Sequence, residues 1–543
     1  MNRSLRFRLA AALLALAVAP RASAQEERRH RHGEERLGHV EFAVSCTPEA
    51  QRRFEHAMAV LHSFWWEEGE HAFGAVLEAD SSCAMAHWGR ALNAWGNPFA
   101  GGPIGPPLAR GAVAASRAAA RPLATPREQG FVNAVAALYR DAAATSNATR
   151  LQAYADTLAR LHRDLPGDTE VTIYHALSLI ATAPRTDTTF AQQKRAIALL
   201  DPLYARHPDH PGLAHYIIHS TDSPHLAAHG LNAARRYSQI APAAPHAQHM
   251  PSHIFVRLGL WDETVASNWR SYDAGLSHAR AAGLSGNPEL LHALDYAVYG
   301  YLQRGQDSAA RRAVATGQAL RIPPSRNTLV GHYNRVSLAA RFQLEREDWA
   351  GAAAFPAPAP TASGVAAVLS RFTRAIGSAR RGDAAAARTE VAALDSLARD
   401  LEARQDTYWS RIAAIKRDAA DAWVLFQSGD SARGLALARA AADSEDVTDK
   451  HPVTPAELLP ARELEADMLL AARRYVEAGK AYRLTLAREP GRSRSLFGAA
   501  RSAELGGDRS AARQGYTAYL KMMARADGTR PELANAKAFL RQR

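Results

Sequence analysis

The 543-residue chain reads as an all-α protein, an α-solenoid whose helix pairs stack into an open right-handed superhelix. A fixed period is the first sign. Near the C-terminus Ala466, Ala478 and Tyr482 return as Ala500, Ala512 and Tyr516, each 34 residues later, with Pro490 between them. Recurring tight turns are the second: Leu258-Gly259-Leu260-Trp261-Asp262, Arg304-Gly305-Gln306-Asp307, Arg381-Gly382-Asp383 and Ser428-Gly429-Asp430. Glycine closes one helix and aspartate opens the next, the two caps that abutting helices need. The third is the near absence of strand patterns. Apolar residues recur at helical spacing, as in Phe54, Met58, Leu61 and Trp65, while β-branched residues are scattered.

Small residues where paired helices touch, with an aromatic filling the gap to the next pair, explain the alanine and tyrosine positions. Period and residue type together resemble the tetratricopeptide repeat. Some turn-to-turn distances reach 46 and 47 residues, so those helices exceed the standard length. The pattern accommodates about twelve helix pairs from Pro48 to Ala524 and a capping helix from Pro531, with helix exceeding about two-thirds of the mature residues.

The N-terminus carries a secretory signal. Arg3, Arg6 and Arg8 precede the apolar run Leu9 to Ala19, and Ala22-Ser23-Ala24 supplies the small-x-small pattern for cleavage after Ala24. Residues 25–44, with Arg28-Arg29-His30-Arg31-His32, read as a charged flexible leader. The mature protein is thus expected in the periplasm or outside the cell, without a membrane span. Loss of four arginines with the signal lowers the formal charge from +12 to +8, a mild excess that excludes a nucleic-acid surface. In an oxidising compartment the two cysteines, Cys46 and Cys83, are expected to form a disulfide worth about 3–4 kcal/mol on the chain-entropy account.

Two Pro/Gly-rich stretches interrupt the repeats. Asn97 to Pro107 is a loop expected to fold over the inner face. Phe355 to Gly364 marks a hinge, dividing the chain into an N-terminal solenoid of residues 45–354 and a C-terminal one of residues 365–543.

The segments SCTPEAQRRFEHAMAVLHSFWWEE, DSSCAMAHWGRAL, HPDHPGLAHYIIHSTDSP, APHAQHMPSHIFVRLGLWDE, HALDYAVYGYLQRGQ and KHPVTPAELLPARE together resemble a group of exported bacterial tetratricopeptide-repeat proteins. The resemblance spans nearly the whole mature chain. It implies a fold and a compartment but no activity, so the residues must carry the functional reading.

Histidine is concentrated between His207 and His292. Two pairs have i,i+4 spacing, His215–His219 in HYIIH and His249–His253 in HMPSH, which places both rings of a pair on one helix face. The second pair follows the first by 34 residues, so the positions are equivalent in consecutive repeats. Aligning the next repeat on its glycine turn extends the rows to His215, His249, Asp295 and to His219, His253, Tyr299, with His246 matching His292. Such rows on the concave wall offer ligands for a divalent transition metal, zinc or iron first. They equally suit a metal-free polar ligand site, or structural hydrogen bonds in a solenoid core. Pro251 beside His249 either kinks the helix or starts it.

His332, Tyr333 and Arg335 extend the wall on the next first helix. His56, His62 and His87 accompany Trp65, Trp66 and Trp88 and read as packing, while His451, Arg462 and Glu463 read as surface. No nucleophile elbow, Walker loop, dinucleotide fingerprint or HExxH motif is present, and HMPSH lacks the glutamate of a zinc protease. Two functions remain: a binding module that takes a peptide, protein or small-molecule partner in its groove, and a metalloenzyme with the histidine-rich groove as active site.

Overall fold

The computed structural model describes residues 36–323, 329–359 and 362–542, and 72% of it is helix with no strand among the described residues. The expected signal segment, residues 1–24, and residues 25–35 of the expected leader lie outside the described residues. From Pro48 the chain forms twelve helix pairs and a final helix, Pro531–Arg541, counting residues 245–257 as one member. Neighbouring pairs pack on each other along the whole stack, which is the architecture of a tetratricopeptide-like solenoid.

The repeat positions do what their residue types require. Ala466, Ala478, Ala500 and Ala512 are buried, and so are Tyr482 and Tyr516. Gly498 faces the Tyr482 ring so closely that a Cβ there would lie 2.3 Å from it. At the turns, Gly382 and Gly429 take positive φ and the next amide closes back onto the helix, as in Asp383 N to Ser378 O at 3.0 Å. Asp383 and Asp430 then cap the following helices through their side chains.

Two turns behave differently. After Gly259 and Gly305 the aspartates do not cap: Asp262 pairs with Arg304 at 2.8 Å, and Asp307 pairs with Arg346 and Arg530. These turns receive the C-terminal repeats. A Cβ on Gly259 would sit 2.4 Å from the Pro490 carbonyl oxygen, and one on Gly305 would sit 2.8 Å from Ala526 Cβ.

The superhelix is therefore not open as the repeats alone predict. Trp261 Nε1 donates to Gly491 O at 3.0 Å, and Ser493 N donates to Gln303 Oε1 at 2.8 Å. Arg492, fully buried, pairs with Glu345 at 2.8 Å and with Glu463 at 2.7 Å. A buried guanidinium needs such partners, and its partners come from distant repeats, so the stack folds back on itself. Arg462 and Glu463, read as surface from the sequence, are buried: Glu463 belongs to this ionic network, with Arg494 also on it, and Arg462 pairs separately with Asp446 at 2.7 Å and Glu465 at 2.5 Å.

Between the helices Ser431–Asp446 and Ala461–Ala471 the chain crosses the inner face as a non-helical strap. Tyr296 Oη donates to the carbonyls of Pro452 and Thr454 at 3.2 and 3.1 Å, and Arg341 donates to Ala456 O at 3.0 Å. Residues 453–460 of the strap are buried. The residues on either side of the 355–364 interruption share this interior.

The N-terminal residues 36–44 are not a flexible leader. They run extended, bury Leu37, Val40 and Phe42, and bond His39 N to Asp209 O at 3.1 Å. Three apolar side chains at close spacing outweigh the nearby charges. Cys46 and Cys83 are joined, which ties this segment to the N-cap of the helix Ala84–Trp95.

Two consequences are measurable. Gly259→Ala forces a Cβ into the left-handed region and against Pro490, so denaturant unfolding should show a loss of about 1–3 kcal/mol with helix content unchanged. Burial, followed by the Glu457 carboxylate, pushes the Glu445 carboxyl up to about 8, at the point where its Oε2 accepts from Ala461 N at 2.6 Å. The folded protein then holds a proton that the unfolded chain releases, so stability falls as pH rises from the ordinary carboxyl range through 8. Glu445→Gln removes that loss: melting curves should coincide near pH 4 and favour the variant by on the order of a degree or two near pH 9.

Candidate metal centre

Six histidines come together in the interior, on the first helices of three consecutive pairs. His215 and His219 lie on the helix Pro211–Thr221, which starts with Pro211 after the N-cap His210. His246 and His249 lie on Pro245–His249 and His253 on Pro251–Arg257. Pro251 divides the latter two without breaking the helical path: Met250 keeps helical φ and ψ of −52° and −36°, and only the missing amide interrupts the ladder. His292 lies on Pro288–Gln303, capped by Asn287.

The rings form two adjoining triads. In the first, His215, His219 and His246 bring one nitrogen each within 4.8 Å of the others; His249, His253 and His292 do the same in the second. Ring centroids of His246 and His249 are 6.1 Å apart, and those of His219 and His253 6.2 Å, so the triads adjoin. The second triad is wholly buried, whereas His219 and His246 of the first are half-buried.

Fixed acceptors orient the rings. His215 Nδ1 lies 2.7 Å from the His62 carbonyl, and His253 Nδ1 lies 2.8 Å from Asp222 Oδ2. His249 Nδ1 lies 2.6 Å from Asn268 Oδ1, whose amide nitrogen is committed to Thr264 O at 2.7 Å. Each acceptor requires the proton on Nδ1, which leaves Nε2 bare. The consequence is sharpest in the second triad, where His249 Nε2 and His253 Nε2 face each other at 3.0 Å. In the first, His246 Nε2 lies 3.2 Å from His215 Nε2 and is able to donate to it. Burial, reinforced by neighbouring imidazoles, pushes the His215, His219, His246, His249 and His292 rings well below their ordinary range. Burial also lowers His253, against the pull of Asp222.

Aromatic side chains close the first triad. Phe64 is held at a positive φ of 51°, a conformation that costs a non-glycine residue about 1 kcal/mol or more. Its ring lies 4.4, 5.9 and 5.6 Å from those of His215, His219 and His246. Phe99, from the loop 97–105, covers His219 at 4.3 Å, so this loop does fold inward. The strap covers the second triad. Lys450 reaches Asp222 at 3.4 Å, and Asp449 pairs with Arg257 at 2.9 Å.

Asp295 and Tyr299 do not join the histidines. Asp295 is buried against Arg341 at 3.1 Å and accepts from Ser337. Tyr299 donates to Glu489 Oε2 at 3.0 Å. The glycine turn gives the wrong register there: the residue that meets His249 and His253 is His292, one turn earlier. His332 and Arg335 line a separate cavity of about 620 Å³ beside Phe355–Ala359, with Arg335 donating to Gly317 O and Leu320 O at 3.1 and 2.9 Å. Tyr333 is buried against Trp409. Sequence reasoning missed Asp222, Asn268 and Lys450, none of which carries a local signal beyond its polarity.

A third group, His62, Glu170 and His210, also lies within 4.8 Å but is saturated. His62 uses one nitrogen on Tyr216 Oη at 3.0 Å and the other on Glu170 at 3.1 Å. His210 bonds Glu170 at 2.9 Å and accepts from Leu213 N. This is a hydrogen-bonded structural network.

No family model matches the sequence, and no curated protein matches it. Solved structures that match include yeast Tom70, at 10% identity and a TM-score of 0.32 over 91% of this chain and 96% of that one. The TPR domain of P58(IPK) matches at 14% identity and 0.21, over 69% and 99%. A chain of Naa15/Naa10 bound to HypK-THB matches at 12% and 0.20, over 91% and 86%. At such identities no function is carried across. No described helix is long and apolar enough to cross a membrane.

Asp222 offers a direct test of the site's support. Asp222→Asn leaves Arg257 and Lys450 as buried cations with a weakened partner, so chemical unfolding should show a loss of about 3–5 kcal/mol.

Proposed function

We propose that this protein is an exported, tetratricopeptide-like solenoid that holds a transition metal in its interior through the histidine triads. One observation carries the reading: His249 Nε2 and His253 Nε2 face each other at 3.0 Å while both Nδ1 atoms serve carbonyl or carboxylate oxygens. Two bare lone pairs at that distance repel unless a cation lies between them. Outer acceptors that fix the tautomer and point the remaining nitrogens inward are what metal-ligating histidines use. An all-imidazole donor set suits zinc, copper, iron or nickel and disfavours calcium and magnesium.

The competing cation is a proton, shared by His249 and His253 and balanced by Asp222. The helical-repeat architecture itself supports protein binding in a general sense. Export to the periplasm or beyond fits the signal-like N-terminus and the Cys46–Cys83 bond.

Elemental analysis of the purified full-length protein, grown with zinc, copper and iron, should find a transition metal in stoichiometric amount. Chelator should lower the melting temperature, since metal at about a thousandfold its Kd contributes about 4 kcal/mol. His249→Ala should abolish both the metal and the chelator effect while keeping the helical spectrum. Metal-free protein that takes up none of these ions and melts identically with chelator would leave the proton as the occupant and sink the proposal.

A further inference from the structure

The two triads differ in surroundings as well as in burial, and that difference assigns them different work. This inference rests on the metal reading above. We propose that the triads form one dinuclear centre, in which the ion on His215, His219 and His246 keeps a coordination position open to a small monodentate donor.

The adjoining geometry supports two ions in one centre. Each triad supplies three nitrogens within 4.8 Å of one another. The triads meet edge to edge, with centroid distances of 6.1 and 6.2 Å across the seam. No single ion is able to use all six rings at bonding distance, because ligand nitrogens lie about 2.0–2.1 Å from the metal. Three imidazoles leave the fourth position of a tetrahedral ion unfilled, the arrangement of catalytic rather than structural sites.

Access separates the two positions. The second triad is buried under the strap, with Asp222, Arg257, Lys450 and Asp449 packed behind His253. In the first, His219 and His246 remain partly exposed, and His219 Nε2 has no hydrogen-bond partner among the described residues. An orphaned imidazole nitrogen in the interior is costly unless something binds it. A cavity on the other side of Phe64, lined by Leu61, Trp66, Leu92, Trp95 and Tyr216 among others, is almost entirely apolar, and none of the three histidines lines it. Phe64 and Phe99 pack over the rings of this triad at 4.3 to 5.9 Å, so the open position has room only for a compact donor such as azide.

Cobalt(II) is the probe. Titrated into the metal-free full-length protein, it should bind at two equivalents per chain. The double variant His219→Ala/His246→Ala and the double variant His249→Ala/His253→Ala should each bind one. Azide should shift the visible cobalt bands of the wild type, and of the variant that keeps the first triad, but not of the variant that lacks it. Circular dichroism checks that each variant is folded, and His219→Gln/His246→Gln replaces the first pair if the alanines unfold. One equivalent in the wild type, or loss of all cobalt from either folded variant, overturns the dinuclear centre while leaving the metal reading intact. Cobalt bands indifferent to azide overturn the open position. No cobalt bound at all sinks the metal reading itself, a distinguishable outcome.

Discussion

The carboxylate of Asp222 is the constraint on which the interior depends. It sits at the end of the helix Pro211–Thr221, bonds His253 and Arg257 at 2.8 Å each, and meets Lys450 at 3.4 Å. Burial alone would raise its pKa, but Lys450 and Arg257 hold it well below the usual carboxylate range, so it stays ionised. One charge thus fixes three things together. It sets the proton on His253 Nδ1, it neutralises an arginine on the same helix as that histidine, and it holds the strap in place. Remove the strap and Asp222 loses a cation; remove Asp222 and Lys450 loses its ion-pair partner while Arg257 keeps only Asp449.

That coupling explains why the solenoid is closed. A stack of helix pairs needs only nearest-neighbour contacts, and its concave face is ordinarily left to solvent or a partner. Here the chain supplies its own occupant. The strap gives Pro452, Thr454 and Ala456 carbonyls to Tyr296 and Arg341, and the following repeats dock at Gly259 and Gly305, where only glycine fits. The inner wall becomes an interior, and groups that would be solvated on an open groove must find partners. Asp295 finds Arg341, and Tyr299 finds Glu489 and Arg492.

Much of this was legible in the residues and some was not, for physical reasons. Local signals were reliable: the alanine–tyrosine period, the glycine turns and the i,i+4 histidines all mark helices and faces, and the twelve pairs with their final helix follow. The disulfide was expected from the even cysteine count and from the compartment that the N-terminal sequence suggests. Long-range pairing left no such trace. Nothing around Arg492 or Lys450 distinguishes a buried cation from a surface one, and residues 36–44 were grouped with the charged stretch before them although Leu37, Val40 and Phe42 are buried. The register failed at the third repeat because helices of unequal length were aligned at their ends. Aligned at their starts, Pro211, Pro245 and Pro288, they place His292 in line with His215 and His249, where Asp295 was expected.

Saturation separates the two kinds of histidine cluster in this one fold. Around Glu170 every imidazole nitrogen has a proton donor or acceptor matched to it, so the network is complete as built. In the triads, by contrast, the Nδ1 atoms of His215, His249 and His253 are satisfied, but His249 and His253 oppose bare Nε2 lone pairs, and His219 Nε2 has no partner among the described residues. Three unmatched nitrogens facing one another at a single seam call for an occupant. In the triads the mismatch lies along the seam between consecutive first helices, where the repeat geometry brings equivalent positions face to face. A cation completes that seam, and the three-imidazole sets on either side of it define where such a cation sits.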